Sequence, residues 1–81
     1  MQLTVRLFAM LKEAQRSDRI TVELPAGATA GELRAAIARG YPALAPLLKS
    51  SRVTAALKFV SDTQVLDGAK EIALIPPVSG G

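Results

Sequence analysis

The chain has 81 residues, 49% of them hydrophobic, and a formal net charge of +3. It contains no cysteine, histidine or tryptophan, which excludes disulfides, thiolate nucleophiles, imidazole bases and metal sites built on cysteine or histidine. Because a domain of this size buries only about 60% of its unfolded surface, we expect a single core and no substrate-sized pocket.

The first part of the chain predicts two strands joined by a short helical segment. Leu3, Val5 and Leu7 alternate with residues of the opposite parity, which is the pattern of a strand with one buried face. Residues 9–16 favour a helix, and the alternation returns at residues 19–24. We expect a second strand there, antiparallel to the first.

A helix is predicted after the break at residues 25–27. Thr29 and Glu32 have the spacing of a capping box, in which each side chain satisfies a backbone amide at the start of the helix. Gly40 suits the end of this helix. Glu32, Arg34 and Arg39 are expected on its solvent side. The residues of the apolar stripe are Ala30, Leu33, Ile37 and Tyr41.

The remaining elements are short. Residues 43–48 predict one helical turn that closes the core, residues 52–60 a strand, turn and strand, and residues 65–66 an edge segment before a turn at 67–68. Residues 72–75 are apolar at every position, so we expect a last strand at the centre of the sheet, beside the first. This order predicts an α+β protein with the β-grasp fold, in which a mixed sheet of about five strands packs on one main helix. Residues 1–75 would form the domain and residues 76–81 a flexible tail.

The charge pattern disfavours a nucleic-acid partner. The ten basic residues are scattered singly, and the three aromatic residues belong to no RNA-binding motif. Residues 1–6 alternate polar and apolar side chains, which predicts neither a signal peptide nor a membrane span. The lack of cysteine is compatible with a reducing compartment, so we expect a cytoplasmic protein without a membrane partner.

The last six residues are not explained by packing. Prolines favour an extended geometry, in which six residues reach about 19 Å. An inert frayed tail is the simpler interpretation, because glycine loses the most backbone entropy when ordered. However, Gly80 and Gly81 form the narrowest possible backbone, which suits a tight channel, and the terminal carboxylate is ionised at neutral pH. To become an acyl donor, this carboxylate needs a separate nucleotide-binding enzyme, since the chain lacks a phosphate-binding loop.

Three segments carry a resemblance to a known family. They are the ending Pro-Pro-Val-Ser-Gly-Gly at residues 76–81, the opening stretch at residues 5–13 and the helix start at residues 29–33. With the order of elements, they resemble the small subunits of molybdopterin synthase, which are ubiquitin-like sulfur carriers. The chain departs from that family at residues 55–57, where an Ala-Val-Asn-like hairpin is usual, and at residues 69–72, where Gly-Asp-Glu-Val is usual.

The resemblance implies a sulfur carrier in molybdenum cofactor biosynthesis that is not an enzyme on its own. An adenylating enzyme similar to ubiquitin-activating enzymes would use ATP to activate Gly81, and a sulfur donor would convert the acyl-adenylate into a thiocarboxylate. The tail would then enter the catalytic pocket of the large subunit, in a heterotetramer, and deliver sulfur to a pyranopterin precursor. Gly80 would allow the tail to thread this pocket. No cofactor or metal is expected on the carrier itself.

The same resemblance implies a docking surface for the large subunit. Its members are Phe8, Phe59, Ile75, Pro76, Pro77, Val78 and Ser79. The parity of Phe8, which it shares with Thr4 and Arg6, places its ring on the face opposite the buried residues of the first strand. The alternative interpretation, that Phe8, Phe59 and Ile75 complete the core, remains open from sequence.

Three other functions remain open from sequence. A sulfur carrier for thiamine or cysteine synthesis would share the fold and the terminal glycines. A ubiquitin-like modifier would instead be joined through Gly81 to lysines of target proteins. A plain interaction module would carry an inert tail.

Overall fold

The computed structural model describes residues 1–66 and 71–77. The elements in chain order are β1 (Gln2–Leu7), α1 (Ala9–Gln15), β2 (Arg19–Glu23), α2 (Ala30–Gly40), a 3₁₀ helix (Ala45–Ser50), β3 (Arg52–Ala55), β4 (Lys58–Phe59) and β5 (Ile72–Ile75). The predicted helical turn near residues 43–48 is this 3₁₀ helix, and the predicted edge segment contributes an isolated bridge between Val65 and Thr29.

The five strands form one mixed sheet in the order β2-β1-β5-β3-β4. β1 pairs antiparallel with β2 and parallel with β5, while β3 pairs antiparallel with both β5 and β4. The predictions of an antiparallel second strand and of a central last strand beside the first are therefore confirmed. This sheet, packed on the main helix α2, is the β-grasp architecture predicted from the sequence.

The core lies between α2 and one face of the sheet. Alternate residues of β1 and β2 are buried, and three consecutive residues of β5, from Ile72 to Leu74, are buried. The middle one, Ala73, has a small side chain on the face away from α2, among the larger side chains of Arg6, Phe8 and Phe59. The largest fully buried side chains are Leu7, Leu11, Leu33, Ile37, Leu44, Leu66, Ile72, Leu74 and Val5. The apolar side chains that alternate along β1 and β2 are thus the ones that face the core.

The ends of α2 follow the predicted signals, but the prediction for Arg34 is wrong. The capping box is present, and the helix ends at Gly40. Arg34 was expected in solvent, yet its side chain is only 21% exposed. It donates hydrogen bonds to the carbonyl oxygens of Ser51, at 2.7 Å, and Leu48. A long side chain at the border of the apolar stripe can extend over the neighbouring segment and satisfy its carbonyl groups.

Several predictions fall on the end of the chain. β5 ends at Ile75, and Pro76 and Pro77 follow it outside any strand, as expected for residues that cannot donate to a ladder. The predicted turn at residues 67–68 and the tail residues 78–81 lie outside the described residues. The division into a domain of residues 1–75 and a tail of residues 76–81 stays a prediction.

Candidate functional site

The face of the sheet opposite α2 is open to solvent and carries one row of side chains across all five strands. Arg19 is the register partner of Arg6, Arg6 of Ala73, Ala73 of Thr54, and Thr54 of Phe59. Register partners point to the same face of a sheet. Two small residues therefore lie between a cationic side and an aromatic side.

A cleft of about 300 Å³ lies on this open face. Phe8, Phe59 and Ile75 line it, together with Ala73 and Thr54. The small side chains form a hollow because larger ones surround them. Three of the seven residues predicted for docking are therefore brought together around one cleft.

The exposure of these residues decides between docking and core packing. Phe8 is 40% exposed and Phe59 is 55% exposed, while Ile75 is half-buried. All three lie outside the hydrophobic core cluster. The interpretation that they complete the core is wrong, and their role in binding a partner stays a prediction.

Two arginines lie against the aromatic rings of the cleft. The Arg52 Cζ atom is 4.1 Å from the centroid of the Phe59 ring, and the Arg6 Cζ atom is 5.5 Å from that of Phe8. Both distances are within the range of cation–π attraction. Arg6, Arg52 and Glu71 are all solvent-exposed, so two cations and one carboxylate border the apolar cleft.

The size of the cleft bears on the prediction that the chain forms no substrate-sized pocket. The volume of the cleft is at the lower end of the range for ligand sites, about 300–1,000 Å³. Two further hollows, of about 500 and 590 Å³, lie beside Tyr41 and along α1. The ionisable residues lining the cleft are Arg6 and Glu71, which do not form a pair of carboxylates for acid–base catalysis. Its chemistry suits the binding of an apolar side chain.

Residues 5–81 match the model of the ThiS family. This chain belongs to the ThiS family. The match extends from the middle of β1 to the terminal glycine and thus includes the open face and the tail.

Full-length relatives of this ThiS-family chain share one name. The molybdopterin synthase sulfur carrier subunit of Chlamydomonas reinhardtii is 35% identical, with 100% of each chain covered. The subunit of the same name from Dictyostelium discoideum is 34% identical, with 99% of this chain and 96% of that protein covered. The resemblance to the small subunits of molybdopterin synthase is confirmed.

A solved structure supports the fold of this ThiS-family chain. The small archaeal modifier protein 1 of Haloferax volcanii superposes with a TM-score of 0.82 at 25% identity. The superposition covers 95% of this chain and 98% of that protein. The ubiquitin-like β-grasp prediction is therefore confirmed.

The structure places the predicted tail residues only in part. Pro76 is half-buried and Pro77 is exposed, immediately after the cleft residue Ile75. Val78, Ser79, Gly80 and Gly81 lie outside the described residues. The predicted roles of Gly81 as carrier and Gly80 as a narrow neighbour stay predictions.

Among the residues of the site that sequence reasoning missed in this ThiS-family chain are Leu57 and Arg52. Leu57 lines the cleft from the hairpin between β3 and β4. A signal was present in the sequence, because Ala55-Ala56-Leu57 puts apolar residues where a hairpin turn favours asparagine and glycine. Arg52 has the parity that places it on the open face, but its contact with Phe59 depends on the register of the hairpin.

The described part of the chain contains neither a helix suited to span a membrane nor a cluster suited to hold a metal ion. Among residues 1–66 and 71–77, no helix combines the length and the apolar character needed to cross a membrane. Within these same ranges, no three histidine, cysteine, aspartate or glutamate residues come together as a metal site.

Proposed function

We propose that this chain is the sulfur carrier subunit of a molybdopterin synthase in molybdenum cofactor biosynthesis. The observation that carries this proposal is the full-length similarity, at 35% identity, to a protein named for that role. The ending Pro-Pro-Val-Ser-Gly-Gly and the exposed apolar cleft next to it support it further. The reactive group would be the Gly81 carboxylate, and the catalytic pocket would belong to the large subunit.

Partner proteins would carry out both activation steps, and this chain would contribute its Gly81 carboxylate. In the first step, a Gly81 carboxylate oxygen attacks the α-phosphorus of ATP on an adenylating enzyme, and pyrophosphate leaves. In the second, sulfur at the sulfide level from a sulfur donor attacks the acyl carbon, and AMP leaves with the original carboxylate oxygen. The product is a thiocarboxylate, which can deliver its sulfur to a pyranopterin precursor in the large subunit. Activation is needed because a free carboxylate is a poor electrophile.

The open face would serve as the docking surface in this complex. Phe8, Phe59 and Ile75 border the cleft, and the chain continues from Ile75 through Pro76 and Pro77 into the tail. A partner that covers the cleft would therefore also receive the start of the tail. We propose that Pro76, Pro77, Val78 and Ser79 contact the large subunit along the way and that two copies of each subunit form a heterotetramer.

Intact-protein mass spectrometry tests the carrier function. The chain is incubated with its adenylating enzyme, MgATP and sodium sulfide, and a reaction without ATP is the control. We expect the mass gain of one sulfur replacing one oxygen, only with ATP. Failure to gain this mass, in an assay that modifies a known carrier, would contradict the proposal. A thiocarboxylate that yields no molybdopterin with the large subunit would instead indicate a carrier for another pathway, such as thiamine or cysteine synthesis.

A second candidate function is conjugation to proteins. It is favoured by the similarity to a structure named as a small archaeal modifier protein, at 25% identity and a TM-score of 0.82. In this role, the activated Gly81 would acylate a lysine amine instead of accepting sulfur. Isopeptide-linked conjugates of the tagged chain in cell extract, lost when Gly81 is deleted, would support this function.

A further inference from the structure

The hairpin between β3 and β4 has an unfavourable backbone for its sequence. Ala55 pairs with Lys58, so Ala56 and Leu57 form a two-residue loop. Their φ angles are 52° and 68°, both in the left-handed region. A loop of this kind favours asparagine followed by glycine, because side chains with a Cβ atom are strained there.

Leu57 adds a second conflict at the same position. Leu57 is 82% exposed, so it contributes little to the stability of the core. A branched apolar residue in a left-handed, solvent-exposed turn is favoured neither by local conformation nor by burial. Positions that break local rules without compensation in the fold are expected at functional sites.

The position of Leu57 beside the cleft indicates a role in binding a partner. Its side chain lines the same cleft as Phe8, Phe59 and Ile75. Leu57 therefore extends the docking surface beyond the sheet to the tip of the hairpin. A protruding apolar side chain next to exposed aromatic rings is typical of an anchor residue at a protein interface.

The charges around the cleft limit the kind of partner. Arg6 and Arg52 lie against the two aromatic rings and remain exposed. One carboxylate, Glu71, also lines the cleft, so a partner without carboxylates would leave at least one of the two positive charges desolvated and unpaired, which is costly. The complementary surface therefore combines an apolar hollow with an acidic border.

We propose that Leu57 is an anchor residue for the large subunit of molybdopterin synthase and inserts into an apolar hollow bordered by carboxylates on that subunit. This inference rests on the proposed function, which supplies the partner. The strained turn at residues 56–57 is then retained because it presents the leucine side chain. Stability and binding should respond differently to substitutions at the two turn positions.

The test compares Leu57→Gly with Ala56→Asn as a matched control. Both substitutions relieve the left-handed strain, so we expect each Tm to rise by about 4 °C. Only Leu57→Gly removes the apolar side chain, so we expect its Kd for the purified large subunit to rise about tenfold. The Kd of Ala56→Asn should equal that of the wild type. Calorimetry measures both quantities.

The outcomes separate the inference from the proposed function. If the wild type binds the large subunit and Leu57→Gly binds equally well, the anchor role is overturned and the carrier function stands. If Tm rises in neither variant, the strain argument is overturned. If the wild type does not bind, both the anchor role and the proposed partner are overturned, whatever the mass of the tail. An association rate that does not fall as NaCl concentration rises would overturn the acidic border.

Discussion

Replacing Arg34 tests whether its hydrogen bonds to backbone carbonyl groups, or its ion pair at the surface, contribute more to stability. Its guanidinium donates to the carbonyl oxygens of Leu48 and Ser51, which lie at the end of the 3₁₀ helix and just beyond it. Replacing Arg34 with methionine keeps much of the side-chain length but leaves both carbonyl groups without this donor. We expect a loss of about 2 kcal/mol in the free energy of unfolding, measured by urea denaturation.

Asp62→Asn is the control for Arg34. The Arg34 Nε atom is 3.6 Å from an Asp62 carboxylate oxygen, and the Asp62 side chain is 71% exposed. An ion pair whose carboxylate is solvent-exposed is worth about 0–1 kcal/mol, so we expect this variant to unfold close to the wild-type midpoint. Equal losses in the two variants would mean that the ion pair, rather than the carbonyl contacts, accounts for the effect of Arg34.

The error in the sequence prediction for Arg34 has a physical cause. Helical periodicity shows which side of a helix faces the core, but not where a segment 14–17 residues later will lie. The carbonyl groups that Arg34 binds are placed by tertiary packing. In contrast, Phe8 was correctly assigned to the open face, because strand parity is a local property.

At the level of elements, the start of α2 illustrates how a helix end is satisfied. The amides of Ala30 and Gly31 donate to the carbonyl oxygens of Gln64 and Asp62, each at 2.9 Å. The amide of Glu32 donates to the Thr29 hydroxyl at 3.2 Å. A loop distant in sequence thus satisfies two amides, and the capping residue satisfies a third. Only the cap was predictable from sequence, since its partner is three residues away.

Replacing Thr29 with alanine tests this cap. The substitution leaves the Glu32 amide without its hydroxyl acceptor, and we expect a loss of about 1 kcal/mol in the free energy of unfolding. Thr29→Ser keeps the hydroxyl oxygen and should retain nearly all of the stability. Urea denaturation of both variants gives the comparison. A serine variant as unstable as the alanine variant would show that the γ-methyl group, and not the cap, provides the stability.

The hairpin between β3 and β4 is an element whose backbone conformation could not be predicted from its sequence. Its strands were predictable from the residues around the turn, but the left-handed conformation of Ala56 and Leu57 was not, because neither residue type favours it. Phe59 reaches the open face only because the loop has two residues and pairs Thr54 with Phe59. One residue more or less would reverse this parity.

At the scale of the whole molecule, the two faces of the sheet carry different groups of side chains. The face toward α2 supplies the buried core, and the opposite face carries the cleft and the arginines. Because a small domain needs nearly all of its core for stability, any site for a partner has to lie outside the core. The composition predicted this limit, whereas the cleft itself required the register of all five strands.

The tail provides the prediction at the scale of the whole chain. β5 ends at Ile75, six residues before Gly81, so we expect deletion of Gly81 to change Tm by less than about 2 °C and to abolish sulfur transfer to the pyranopterin precursor.

Gly81→Ala keeps the length and the carboxylate but adds a methyl group. If width limits entry into the activating enzyme or the large subunit, this variant also loses transfer. If reach alone matters, it retains transfer while the deletion does not. Calorimetry measures Tm, intact mass measures the thiocarboxylate, and molybdopterin formed with the large subunit measures the transfer. A large fall in Tm after deletion would show that the tail belongs to the folded domain.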